Sequence, residues 1–152
     1  MAQLNEMVAK ASDVGISSAV ARSYLSNGDF WVSSNERKFT VDSSWLPMIE
    51  LANEWYDRVI KEFPSSDEAE IAYERKLFAL IGWKELGRDG ESYGLKNNHQ
   101  KYMPLVLTTF DDFEKAFPTS SALQAFRYQI AQAYWAHRDW QNTRAWLQKI
   151  EY

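Results

Sequence analysis

The sequence predicts an all-α protein, and three observations carry that prediction. Bulky aromatic residues are frequent, with 7 Trp, 8 Tyr and 8 Phe, whereas Pro and Gly are scarce at 4 and 6. Apolar residues recur at steps of three and four along most of the chain, and no group of segments alternates as paired strands do. A length of 152 residues is typical of one domain. We therefore expect one helical domain, residues 1–152.

The N-terminal part of the chain predicts three helices and one loop. Apolar stripes predict a short helix at about 2–11, a second at 14–28 and a third at 45–62. Segment 31–43 lacks helical periodicity, so it is interpreted as a loop with an extended piece near 39–41.

The C-terminal part begins with a helix at about 67–86. Ser65 and Glu68 have the spacing of a capping box, which would begin this helix. Segment 87–101 is rich in Gly and Asn, so it predicts a second loop. The remaining predicted helices are 103–116, which opens near Pro104, 121–137 and 140–150.

Two internal repeats are visible. Segment 63–66 (Phe-Pro-Ser-Ser) matches segment 117–120 (Phe-Pro-Thr-Ser). An apolar stripe with steps of four and three precedes each, and Pro follows where it cannot continue a helix. The two stripes are Ala52, Tyr56 and Val59, and Val106, Phe110 and Phe113. A second pairing links 21–30 to 131–140 through a shared Ala, Tyr and Asp-aromatic pair. The chain is therefore predicted to be built from repeated helix pairs.

Composition excludes several classes of function. The net charge of −4 argues against a nucleic-acid partner and against a polybasic membrane-surface patch. The absence of cysteine rules out disulfides, cysteine nucleophiles and thiolate metal sites. No segment has the roughly 20 apolar residues of a membrane span, and residues 1–15 lack the apolar core of a signal peptide.

No constellation of residues predicts catalysis, a cofactor or a metal site. His137 is interpreted as a half-exposed histidine in a turn, and His99 as a solvated residue of the polar loop. Asp111, Asp112 and Glu114 are expected on a solvated helix face rather than as an acid–base pair. The chain is therefore not expected to be an enzyme.

The repeats resemble the tetratricopeptide repeat (TPR), an antiparallel pair of helices A and B that stacks into a solenoid. Residues that fit the family pattern are Val20, Ala21, Tyr24, Gly28 and Phe30 in the first unit, Val106, Phe110, Phe113 and Pro118 in the second, and Ile130, Ala131, Tyr134, Trp140 and Leu147 in the third. The resemblance implies a right-handed α-α superhelix of about three pairs. Its units would be residues 14–64, 67–118 and 121–150.

One departure from the family pattern and one finer similarity accompany this resemblance. The first two units carry long insertions between helices A and B, at 31–43 and 87–101. Segments 56–75 and 113–128 are also similar to the sub-type found in bacterial cell-envelope assembly lipoproteins. That similarity implies a periplasmic location, whereas the general family is equally compatible with the cytoplasm.

In the family, helix A residues line a concave groove that binds a partner protein or peptide. The positions of this chain that the resemblance places there are Arg22, Leu25, Glu74, Phe78, Ile81, Tyr128, Gln132 and Trp135. The resemblance therefore implies a non-catalytic interaction scaffold. Three alternatives remain open: packing of these side chains as core, a small-molecule or enzymatic pocket formed by groove and insertions, or self-association of the chain.

Helix 140–150 predicts an exposed apolar end. Trp140, Leu147 and Ile150 lie on one stripe by their spacing, and Trp146 adds apolar area beside it. One neighbouring helix is not expected to cover the whole stripe, and uncovered apolar surface is typical of an interface. We therefore expect further helices beyond this end or pairing of two chains through it.

Overall fold

The computed structural model describes residues 2–37, 48–81 and 99–151, and six helices run through them. The helices are α1 (Ala2–Arg37), α2 (Met48–Glu62), α3 (Asp67–Ile81), α4 (His99–Ala116), α5 (Ala122–Ala136) and α6 (Trp140–Leu147). These three described ranges contain no strand, so the predicted all-α class is confirmed. The chain divides into two compact units, Met1–Ala72 and Tyr73–Tyr152. The single domain expected from the length stays a prediction.

Helix α1 is the largest departure from the sequence prediction. The structure has one continuous helix, Ala2–Arg37, where a break after residue 11 and a loop from residue 31 were predicted. Those predictions are wrong because apolar periodicity reports the burial of a helix face rather than helicity itself. The Ser34 hydroxyl donates to the Phe30 carbonyl at 2.8 Å, which accommodates a polar side chain inside the helix. The rest of the predicted loop, 38–43, lies outside the described residues.

Helices α1 and α2 make a close contact at Gly28. The ring of Tyr56 is buried against this glycine, and a Cβ at Gly28 would lie only 2.7 Å from Tyr56 Cζ. The Tyr56 hydroxyl donates to Asp29 Oδ1 at 2.8 Å, which satisfies the polar end of the buried ring. The predicted stripe of Ala52, Tyr56 and Val59 is confirmed, since each side chain is at most 1% exposed.

Two matching turns join α2 to α3 and α4 to α5. In each turn the Phe N–H donates to the carbonyl four residues earlier, at 2.9 Å for Phe63 and 2.8 Å for Phe117. The serine three residues later donates its N–H to the Phe carbonyl, at 3.3 Å for Ser66 and 3.1 Å for Ser120. The sequence repeat at these positions is therefore also a repeat of backbone hydrogen bonding.

The cap of α3 differs from the predicted capping box. Ser66 Oγ accepts a hydrogen bond from the Ala69 N–H at 3.0 Å and donates to the Phe63 carbonyl at 2.6 Å. Ser65 lies outside the cap in the left-handed region, with φ 61°. The Glu68 carboxylate is occupied by the Ser18 hydroxyl. The prediction is wrong by one residue, because Ser66 and not Ser65 directly precedes the helix.

Aromatic side chains form the core of the second unit. Tyr73 stacks on Phe113 with ring centroids 5.4 Å apart. Phe126 lies 4.8 Å from Phe78 and 6.2 Å from Phe113, again between centroids. The predicted stripe of Val106, Phe110 and Phe113 is confirmed, since none is more than 3% exposed.

Helix α4 begins at His99, four residues before its predicted start. Residues 99–101 are thus helical and not loop, and Pro104 lies inside α4 rather than at its opening. Proline has no N–H, so the backbone hydrogen bond to the carbonyl of Gln100 is missing. Gln100 is an exposed residue of the first turn, and water can bind its carbonyl oxygen instead. Residues 82–98, which include the predicted end of α3 and most of the second loop, lie outside the described residues.

The last two helices begin and end close to their predicted bounds. Helix α5, Ala122–Ala136, is one residue shorter at each end than predicted. Helix α6 ends at Leu147, and a turn continues to Ile150, whose N–H donates to the Leu147 carbonyl at 3.2 Å. Asp139 begins α6 by accepting the Asn142 N–H at 3.1 Å.

Candidate functional site

Two aromatic side chains stand exposed on one face of α5. Tyr128 is 46% and Trp135 is 61% exposed, and the half-buried Gln132 lies between them at steps of four and three residues. The opposite face is buried, since Phe126 and Ile130 are at most 1% exposed. We call Tyr128, Gln132 and Trp135 the α5 strip. All three residues were predicted to line a groove, and their spacing places them on one helix face.

The end of α5, just after Trp135, is closed by two backbone hydrogen bonds. The Asp139 N–H donates to the Tyr134 carbonyl at 3.0 Å, and the Arg138 N–H donates to the Trp135 carbonyl at 3.0 Å. Arg138 has φ 59°, which makes this the Schellman ending with an arginine where glycine is usual. Both carbonyls at the end of α5 are therefore satisfied, and the strip lies on a well-terminated helix.

The other predicted groove residues of the second unit are less exposed. Ile81 is 4% exposed, and Phe78 is half-buried with its ring packed on Phe126. Glu74 is also half-buried. Phe78 and Ile81 therefore pack within the helical core, which was one of the alternatives left open for the predicted groove residues.

In the first unit, the predicted groove residues Arg22 and Leu25 have different environments. Leu25 is 3% exposed and belongs to the core. Arg22 is exposed, and its guanidinium donates to Ser18 Oγ at 2.9 Å and lies 3.6 Å from Glu68 Oε1. The Ser18 hydrogen bond, helped by Arg22, lowers the pKa of Glu68 below its usual value. Arg22 is thus already engaged in a polar cluster.

The only two histidines of the sequence meet in space, which no sequence pattern predicts. The rings of His99 and His137 stack with centroids 3.9 Å apart and planes 29° apart. Tyr134 meets the His99 ring edge-on at 5.9 Å. Burial, reinforced by His137, lowers the pKa of His99, although Asp139 opposes this effect. His99 was expected in a solvated loop, and that expectation is wrong because this residue begins α4 with its Nδ1 buried and unpaired.

The stacked histidines do not form a chelating pair. Ring nitrogens bind a metal along directions in the ring plane, so two stacked rings direct their nitrogens side by side rather than toward one point. No group of three or more His, Cys, Asp or Glu in the described residues is placed to hold a metal ion.

Two of the acidic residues of α4, Asp111 and Glu114, make ion pairs. Lys115 Nζ lies 2.5 Å from Asp111 Oδ2, and Asp111 raises the pKa of this lysine. Arg127 pairs with Glu114, while Asp112 is exposed. Asp111 and Asp112 thus lie on the solvated face that was predicted for them, whereas Glu114 is half-buried beside Arg127.

Within the described ranges, no helix combines the length and apolar character that crossing a membrane requires. Comparisons with protein-family models, with curated proteins and with solved structures find no match for this chain. Function is therefore inferred from the helices and side chains themselves.

Proposed function

We propose that this chain is a non-catalytic protein-interaction scaffold that binds a partner protein or peptide on the α5 strip. The observation that supports the proposal is the exposure of Trp135 and Tyr128 on the face opposite the core. Burying apolar surface contributes about 25 cal/mol per Å². Trp and Tyr are also the side chains that most often dominate binding energies at interfaces.

The proposal includes the tetratricopeptide-like arrangement of about three helix pairs. Matching hydrogen-bonded turns between α2 and α3 and between α4 and α5 support a repeated architecture. In such an arrangement the α5 strip would belong to helix A of the third unit, the element that the resemblance assigns to the groove.

The composition of the strip indicates the chemistry of its partner. Tyr128 and Trp135 offer apolar surface with a polar hydroxyl or indole N–H, and the Gln132 amide both donates and accepts hydrogen bonds. A partner segment would therefore place apolar side chains on the rings and a backbone or amide group on Gln132. An extended or helical peptide meets these requirements.

Crosslinking from within the strip tests the proposal. A photo-reactive amino acid at position 132 should capture a partner in an extract of the source cells. Trp135→Ala should abolish this capture, whereas Trp140→Ala should preserve it. The two tryptophans are a matched pair, because they are 61% and 58% exposed but lie on different helices.

A stability measurement completes this experiment. Truncation of a core tryptophan costs about 3–5 kcal/mol, whereas changes at exposed positions are usually within about 0.5 kcal/mol. Trp135→Ala should therefore melt close to the parent chain. Equal capture by both variants, or a core-sized loss of stability in Trp135→Ala, would contradict the proposal.

A further inference from the structure

Helix α6 presents a second apolar surface, separate from the α5 strip. An open groove of about 510 Å³ lies along this helix and its following turn. Its lining residues are Trp140, Thr143, Arg144, Leu147, Gln148 and Ile150. Trp140 is 58% and Leu147 is 39% exposed, which agrees with the exposed stripe predicted from the sequence.

The opposite side of α6 is anchored in the second unit. Trp146 is 9% exposed and meets the Phe110 ring edge-on, with centroids 5.3 Å apart. Lys149 covers the Trp146 ring, with Nζ 3.9 Å from its centroid. The helix therefore has one face in the core and one face, the groove, that is open to a partner.

Two opposite charges accompany the groove. The Arg144 side chain lines it and makes no ion pair among the described residues. Glu151 follows Ile150 directly, is exposed, and likewise has no ion pair within the described ranges. Asp139, the other nearby carboxylate, is occupied by the backbone and side-chain amide of Asn142.

We propose that a second copy of this chain occupies the groove, with the two α6 segments antiparallel about a twofold axis. A contact centred near Leu147 places Arg144 of each copy opposite Glu151 of the other, because Arg144 lies in the last turn of α6 and Glu151 directly follows the turn that continues from α6 to Ile150. A twofold contact repeats every interaction, so two ion pairs form at once. Leu147 and Ile150 are buried between them.

Charge selects this register over its neighbours. An antiparallel contact centred on Arg144 itself would bring two guanidinium groups together, which costs free energy. The register centred near Leu147 replaces that repulsion by two attractions. The apolar stripe is short, so we expect a weak dimer that is populated at high protein concentration.

Sedimentation equilibrium of the full chain, from low micromolar to near-millimolar concentration, tests the proposal. The parent chain should approach twice its monomer mass. Arg144→Glu and Glu151→Arg should each weaken dimerisation about tenfold or more, which corresponds to about 1.4 kcal/mol. The combined variant R144E/E151R should dimerise as the parent does, because the swap restores both ion pairs.

Matched controls make the result specific. Arg138→Glu changes the net charge as Arg144→Glu does, but it lies outside the groove and should leave dimerisation unchanged. Both arginines are exposed, so far-UV circular dichroism should report intact folding in each variant. A parent chain that stays monomeric throughout, or a swap that fails to restore the dimer, would overturn the proposal. Neither result affects the α5 strip, which shares no residue with the groove.

Discussion

A methyl group at Gly28 tests the packing of α1 on α2. A Cβ there would lie 2.7 and 2.8 Å from Cζ and Cδ1 of Tyr56, and closer still to Cε1. Carbon atoms need about 3.5 Å or more, so the ring or the helix must shift. The ring cannot swing outward, because Tyr56 is 1% exposed and its hydroxyl is bonded to Asp29.

The same helix supplies a matched control. Gly15 is exposed, and a Cβ there would meet nothing within 4 Å. Ala is favoured over Gly inside a helix by about 1 kcal/mol, and this preference is common to both positions. Overpacking costs about 1–3 kcal/mol. Gly28→Ala should therefore be about 1–3 kcal/mol less stable than Gly15→Ala, while Gly15→Ala should be slightly more stable than the parent.

Urea denaturation followed by far-UV circular dichroism measures both free energies of unfolding on the same signal. The helix propensity of alanine cancels in the difference between the two variants. If Gly28→Ala unfolds at the same or a higher urea concentration than Gly15→Ala, the close contact with Tyr56 does not exist as described.

Two further predictions concern a helix cap and a histidine. Ser66→Ala should cost about 1 kcal/mol of stability in the same denaturation assay, whereas Ser65→Gly should cost nothing because glycine accepts φ 61° freely; the opposite order would support the capping box at Ser65. Burial lowers the pKa of His99 below 6.5, so the unfolded chain takes up its proton first as the pH falls. The contribution of His99 to the free energy of unfolding should therefore be constant above about pH 6.5 and should decline from there toward the lowered pKa. His99→Gln cannot titrate, so this variant should flatten the decline.

The parts of the fold that the sequence predicts are those set by local pattern. The stripes through Tyr56 and Phe113 could be read from spacing alone, because a helix that buries one face must repeat apolar residues at that spacing. The continuation of α1 past residue 30 could not be predicted in this way, since the segment lacks an apolar stripe and is helical without one.

Contacts between segments that are distant in the chain cannot be predicted from local sequence pattern. His99 and His137 belong to different segments, and no spacing rule connects them, so their stacking emerges only from the packing of α4 and α5. The α5 strip was predicted because Tyr128, Gln132 and Trp135 are close in sequence on one helix. Phe78 and Ile81 were predicted to line the same groove, but their burial depends on neighbouring residues that local sequence pattern does not identify.

The matching turns at Phe63 and Phe117 also have a consequence for the order of folding. Each turn is closed by hydrogen bonds between residues only a few positions apart, so the chain entropy lost in forming it is small. The contact of Tyr73 with Phe113 closes a far longer loop, and contacts of that kind slow folding. The turns at Phe63 and Phe117 should therefore form early and independently, with the stacking of Tyr73 on Phe113 added afterwards.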